Sequence, residues 1–290
     1  MNLKKIYYTL PNKLRTYIGL KLNPILGDIE EKFINSNLGR DYGLNKSDRI
    51  DIVNKIRNIL KNVKSATNMG VHLTLISKIL EIPPSSNESY LVEAGCYYGA
   101  TSCSMSIAAK ILKKKLIIYD SFFGLPDDDN KELKIYDHLK IKGFYQKGMY
   151  AASKKDVEQN ILKYGEYENC LFREGLFSDT MPKHSEKICF LFLDVDLKSS
   201  TKTSIKYLYP HIIDNHYIFT DDSCDLSVVK IWFDENFWNS ELNCSAPGYV
   251  GSGCGLPING EFSSLGYSIK NLNTQSLLNT EWLYKEPSVF

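Results

Sequence analysis

No stretch of this 290-residue chain approaches the roughly 18 to 20 consecutive apolar residues that cross a bilayer. An excess of either charge is also missing: 35 Lys and Arg stand against 34 Asp and Glu, a formal net charge of +1. The whole-chain balance therefore makes no case for nucleic acid or an acidic partner. The seven cysteines are an odd set without a C-x-x-C pair or a Cys/His cluster. That argues against a disulfide scaffold or zinc site and for a reducing, cytoplasmic setting. A signal-peptide core is lacking too, because Pro11 and polar residues interrupt the N-terminal segment that carries Lys4, Lys5, Lys13, Arg15 and Lys21. Together with Tyr7, Tyr8, Tyr17 and Leu20, these basic residues permit weak contact with an anionic membrane surface. A helical extension with a solvated basic face is the simpler account. There is no internal repeat.

What is present is ordinary for a soluble globular protein: 43% hydrophobic and 24% charged residues. Up to about residue 87 the pattern is helical. Ser47 to Val63 places Ile50, Ile52, Val53, Ile56, Ile59 and Leu60 at helical spacing, and Asn68 to Leu80 is a second candidate. Ile82-Pro83-Pro84-Ser85-Ser86-Asn87 then breaks the pattern. Beyond it strands and helices alternate. Strands are expected at Tyr90–Ala94, Leu116–Asp120, Asn169–Arg173, Ile188–Leu193 and Tyr217–Thr220. Helices are expected at Thr101–Leu112, Ser153–Tyr164, Thr201–Leu208 and Asp225–Phe237. Such alternation predicts an α/β fold of βαβ units wound into a parallel sheet. The glycine-rich tail with Tyr267-Ser268-Ile269 predicts antiparallel strands that close one edge.

Two of these strands end in aspartates: Ile188 to Leu193 runs into Asp194-Val195-Asp196, and Tyr217 to Thr220 into Asp221-Asp222. Open α/β sheets bind ligands beyond the carboxyl ends of their strands. Four carboxylates gathered there repel one another unless a cation or shared protons relieve them, and a hard divalent metal with oxygen ligands is the simplest relief. Asp194 and Asp196, two apart on an extended segment, would point the same way. By contrast, the Asp127-Asp128-Asp129-Asn130 run reads as a solvated loop.

The first strand leads into Glu93-Ala94-Gly95-Cys96-Tyr97-Tyr98-Gly99-Ala100-Thr101-Ser102. Gly95 lets the chain turn tightly and lets a ligand approach its backbone. The dinucleotide fingerprint G-x-G-x-x-G is absent, because Tyr97 takes the place of its second glycine and would obstruct a pyrophosphate. A tight strand-to-helix turn alone accounts for the glycines equally well. Asp120 adds weight: it ends the second strand, 25 residues after Gly95, where an acidic side chain accepts hydrogen bonds from ribose hydroxyls. A nucleoside without a pyrophosphate, next to a metal, suggests S-adenosylmethionine.

These residues resemble the macrocin O-methyltransferase family, metal-dependent enzymes that methylate sugar hydroxyls of natural products. The matching segments are Leu91-Val92-Glu93-Ala94-Gly95, Tyr119-Asp120-Ser121-Phe122-Phe123-Gly124-Leu125-Pro126, Gly148-Met149-Tyr150 with Val157, Gly175 to Pro182, Asp194-Val195-Asp196-Leu197 and Asp221-Asp222. The glycine turn also resembles that of catechol-type O-methyltransferases, which have a tyrosine where Tyr97 stands. The resemblance spans about residues 90–235, the core but not the termini, and implies a Rossmann-like class I methyltransferase sheet, mostly parallel with an antiparallel edge and helices on both faces, in a domain expected over residues 88–290. Residues 1–87 would form an N-terminal helical extension or lid. Glu93, Gly95, Tyr97 and Thr101 would surround the methionine and ribose of S-adenosylmethionine, Asp120 and Ser121 the ribose, and Phe177 and Ser178 the adenine. Asp194, Asp221 and Asp222 would bind Mg2+, and Asp196 would serve as general base; His138, His184, His211 and His216 are alternative bases. The family commonly has an aromatic residue after the aspartate pair, where this chain has Ser223-Cys224, and tyrosine and glutamate near Leu197 and Lys198. The acceptor, a small molecule or a glycan, and any homo-oligomer are left open. An alternative from the same aspartates is a metal-dependent Asp-x-Asp glycosyltransferase using a sugar nucleotide, which leaves the glycine turn and Asp120 without a role.

Overall fold

A computed structural model describes residues 29–85, 88–128, 132–136, 139–258 and 261–271. The basic segment up to residue 28, Asp129-Asn130 and His138 lie outside the described residues. Three helices precede the sheet: α1 (Ile29–Asn35), α2 (Lys46–Asn62) and α3 (Met69–Leu80). Asn45 starts α2 by accepting from the Ser47 and Asp48 N–H groups, while Asp48 accepts from the Asn45 N–H in return. Asn68 caps α3 through the Val71 N–H.

The sheet begins with β1 (Tyr90–Ala94), crosses over through α4 (Ala100–Ile111) and returns as β2 (Leu116–Asp120). A short antiparallel ribbon follows, β3 (Leu133–Tyr136) with β4 (Leu139–Ile141), where the sequence reading placed no element. Then come α5 (Lys154–Tyr164), β5 (Cys170–Glu174), the single turn α6 (Phe177–Thr180) and β6 (Ile188–Leu193). After them lie α7 (Lys198–Leu208), β7 (Tyr217–Thr220), the turn α8 (Leu226–Val229) and α9 (Glu235–Leu242). A second ribbon, β8 (Pro257–Ile258) with β9 (Glu261–Phe262), leads to β10 (Gly266–Ile269). The strand order is β10-β7-β6-β1-β2-β5. Every neighbouring pair is parallel except β10 with β7, which is antiparallel. The expected mostly parallel sheet with an antiparallel edge is therefore the one observed.

Strand alternation divides the interior into two cores. Phe190 and Phe192 of β6 pack with Ile56, Ile59, Leu73 and Ile76 of α2 and α3. Leu191 and Leu193, one residue out of phase, pack with Ile205, Leu208, Trp232 and Trp238. All six β6 residues are buried, as a strand covered on both faces must be. Among the described residues no helix is long and apolar enough to cross a membrane.

The expected helix over Asp225–Phe237 is instead broken. It comprises α8, a 3-10 turn over Lys230–Phe233 and then α9, which Asp234 caps by accepting from the Phe237 N–H. Six residues of continuous helix would turn Trp232 and Trp238 well away from each other. The break brings both indoles into one core, 5.9 Å apart, with the Trp238 Nε1–H donating to the Ile231 carbonyl.

Candidate active site

The strand order reverses at β1, whose neighbours β2 and β6 lead to opposite sides of the sheet. Ligands of such sheets sit beyond the carboxyl ends of the strands at that point. There a cavity of about 440 Å³ opens, a volume within the usual range for small-molecule sites. Gly95, Tyr97, Asp120, Ser121, Phe177, Ser178, Asp194, Asp196, Asp221 and Asp222 all line it. Two named residues do not: Glu93 and Thr101 lie buried beneath the turn.

Their role in the fold is nonetheless clear. The Glu93 carboxylate is fully buried and accepts from the Thr101 hydroxyl and, at 2.5 Å, from the Ser102 hydroxyl. Burial pushes its pKa up to about 7, against the lowering effect of the two hydroxyls. The strand end is thereby tied to the first turn of α4. Asp120 ties down the other side of the turn: Oδ2 accepts from the Cys96 N–H and Oδ1 from the Phe122 N–H, each at 2.7 Å. Each carboxylate oxygen retains a lone pair for a ligand hydroxyl. Gly95 has φ +81°, and a Cβ there would run into the Asp194 carbonyl. Only glycine lets β1 and the loop after β6 approach so closely.

The loop after β6 is turned, not extended as the sequence reading supposed. Asp196 has φ +57°, and the Leu197 N–H donates to the Val195 carbonyl. The cause is Asp222, whose Oδ2 accepts from the Val195 and Asp196 N–H groups at 3.3 and 3.0 Å. Asp194 and Asp196 line the cavity through this turn, and not through strand alternation.

The aspartates are under electrostatic stress. Burial, then repulsion from Asp221 and its neighbours, holds Asp194 well above the usual carboxylate range, and Asp222 is raised likewise by burial and Asp196. Asp196 and Asp221 are each pushed up to about 7, again chiefly by burial. Among the described residues no three acidic, histidine or cysteine side chains converge as a closed metal cage. Yet Asp221 Oδ1 is buried with no hydrogen-bond partner. A buried carboxylate oxygen without a donor costs about 1–3 kcal/mol or more. An all-oxygen, all-carboxylate set with one such atom fits a hard divalent cation.

Sequence reasoning missed several wall residues. Tyr145 is buried and donates to Asp225 Oδ2 at 3.4 Å; burial raises its pKa, with Asp222, Asp225 and Asp196 adding to the rise. Tyr150, Leu133 and Phe144 also face the cavity, as does Ala66 from the connection between α2 and α3. Of these only Tyr150 lay in a segment already singled out, Gly148-Met149-Tyr150; Ala66, Phe144 and Tyr145 come from connections with no periodic pattern, and Leu133 from the short ribbon strand β3. Of the histidines named as bases, His184, His211 and His216 do not line the cavity. His184 hydrogen-bonds the Tyr119 hydroxyl and meets the His211 ring edge to face.

A family model described as macrocin-O-methyltransferase (TylF) matches residues 77–242. Demethyldecarbamoylnovobiocin O-methyltransferase of Streptomyces niveus is 28% identical over 137 residues, which are 46% of this chain and 52% of that protein. The chain thus matches about half the length of that relative. Among solved structures, the O-methyltransferase NovP superposes with a TM-score of 0.54 at 20% identity, covering 71% of this chain and 83% of NovP. At that identity the likeness concerns the fold.

Proposed function

The chain belongs to the macrocin O-methyltransferase family, and on that premise we propose that it transfers a methyl group from S-adenosylmethionine to a sugar hydroxyl, aided by a divalent cation such as Mg2+. The observation that carries this reading is the shared cavity: the glycine turn with Asp120 and the aspartates after β6 and β7 face the same space. Gly95, Tyr97, Asp120, Ser121, Phe177 and Ser178 would hold the methyl donor. Asp194, Asp221 and Asp222 would hold the cation, which when bound would acidify an acceptor hydroxyl and fix its position.

The residues of the chain have their own parts in such a transfer. Methyl transfer needs the acceptor oxygen aligned with the sulfonium methyl group, so the walls must position both molecules and exclude water. Gly95 lets the two halves of the site approach. Asp196, which lines the cavity beside the proposed cation ligands, is placed to take the hydroxyl proton. The Tyr145 phenol, held protonated by burial and then by its acidic neighbours, can donate a hydrogen bond to an acceptor oxygen. Ala66 on the cavity wall supports a covering role for the helical segment before β1.

The test is calorimetry of the purified chain with S-adenosylmethionine, then with UDP- and GDP-sugars. Donor binding without sugar-nucleotide binding is expected. Tight binding of a sugar nucleotide, with no response to S-adenosylmethionine, would overturn the proposal.

A further inference from the structure

The cavity walls carry an unusual charge pattern. Asp120, Asp194, Asp196, Asp221, Asp222 and Asp225 line it, and among the described residues no lysine, arginine or histidine does. A ligand bearing a carboxylate would meet only repulsion there, unless a cation stands at the rim. One does. Lys64, in the connection between α2 and α3, holds its Nζ 5.3 Å from the Tyr97 ring centroid and 5.5 Å from that of Tyr98. Tyr97 lines the cavity, as does Ala66, two residues beyond Lys64.

Two features suit this lysine to a ligand. Its ammonium group meets the Tyr97 and Tyr98 side chains, and no carboxylate pairs with it among the described residues. Its connection is also anchored. The Thr67 hydroxyl meets His72 Nε2 at 2.9 Å, and His72 Nδ1 meets the Ser104 hydroxyl of α4 at 2.8 Å. His72 is fully buried, and Ser65 closes the loop by bonding both the Thr67 carbonyl and its N–H. The two tyrosine faces then hold the ammonium group beside the glycine turn, since ring quadrupoles attract cations.

We propose that Lys64 forms an ion pair with the carboxylate of the methionine portion of S-adenosylmethionine, which makes the α2–α3 connection part of the cofactor site. This rests on the donor assigned above. The methionine carboxylate is the donor's one anionic group. Asp120 repels it from one side and the aspartates after β6 and β7 from the other, so it comes to rest on the Tyr97 side, where Lys64 stands.

The test compares two ligands by titration calorimetry at low salt, using the full chain. S-adenosylhomocysteine carries the amino-acid carboxylate; 5′-methylthioadenosine has the same nucleoside and lacks it. In Lys64→Met, S-adenosylhomocysteine should bind about fivefold more weakly, as expected for a partly exposed ion pair, while 5′-methylthioadenosine stays within about twofold. Lys64→Arg should retain most of the affinity, and both variants should melt with the wild type. Equal S-adenosylhomocysteine affinity in Lys64→Met and wild type would overturn the pairing, as would equal weakening of both ligands. A wild-type chain that binds neither ligand would instead remove the donor assignment, and the pairing with it.

Discussion

The two halves of the cavity satisfy their carboxylates in opposite ways. At the ends of β1 and β2, Glu93 is met by the hydroxyls of Thr101 and Ser102, and Asp120 by two backbone N–H groups. At the ends of β6 and β7, Asp222 is met by two N–H groups, but Asp221 Oδ1 is buried with no partner. One half is thus complete within the protein and presents a preformed rigid turn. The other is complete only when something else supplies positive charge or protons. The difference teaches where to look for dependence on a cation: a buried carboxylate oxygen that no donor meets, as in Asp221, calls for charge or a proton from outside the chain.

The largest expected effect would break this contrast at the orphaned atom. Asp221→Asn keeps the shape and removes the charge. Methyl transfer measured with saturating divalent cation should fall by at least about a hundredfold, while S-adenosylhomocysteine binding by calorimetry stays within about twofold. Unchanged turnover would sink the cation assignment. Gly95→Ala strikes the seam between the halves. A left-handed φ and a collision with the Asp194 carbonyl should together cost about 2–4 kcal/mol, read as a lower urea midpoint. Wild-type stability in this variant would show that the halves do not need their close approach.

Smaller shifts follow from pH. The Glu93 pKa rises from 4.5 to about 7 on folding, so below about pH 7 the folded chain holds a proton that the unfolded chain has lost. Stability therefore increases as pH falls through 7, with the gain complete near 4.5; Asp196 and Asp221 add in the same direction. His72 acts oppositely. Its pKa falls to about 4 on folding, so its cost begins only below its ordinary value of 6.5. Between pH 8 and 6.5 the melting temperature of the cation-free wild type should rise. Glu93→Gln should flatten part of that rise, and Mg2+ at pH 8 should raise the melting temperature of both proteins by a similar increment. A cation effect that vanished in Glu93→Gln would mean that the two halves are electrostatically one.

Much of this was legible in the residues. The β6 run Ile188 to Leu193 has no polar residue until Asp194, so both its buried state and the location of its end could be read directly. Gly95 and Asp120 were legible for the same reason, since each punctuates a strand end. The break at Asp234 was not, because helix spacing over Asp225–Phe237 is locally acceptable and only the shared core of Trp232 and Trp238 rejects it. Tyr145, Asp225 and Lys64 likewise carry no local signal: their neighbours in space are distant in sequence.

By itself the sequence determined the alternation of strands and helices, the strand ends and the acidic identity of the site, because hydrophobic period and strand-terminal residues act within a few positions. Only the tertiary structure decided that the Asp194-Val195-Asp196 segment turns, that Asp221 keeps an unpaired oxygen, and that the α2–α3 connection brings Lys64 to the glycine turn. Those outcomes depend on which buried groups find donors and on hydrogen bonds such as His72 to Ser104 across 32 residues, and no local pattern encodes such long-range pairings.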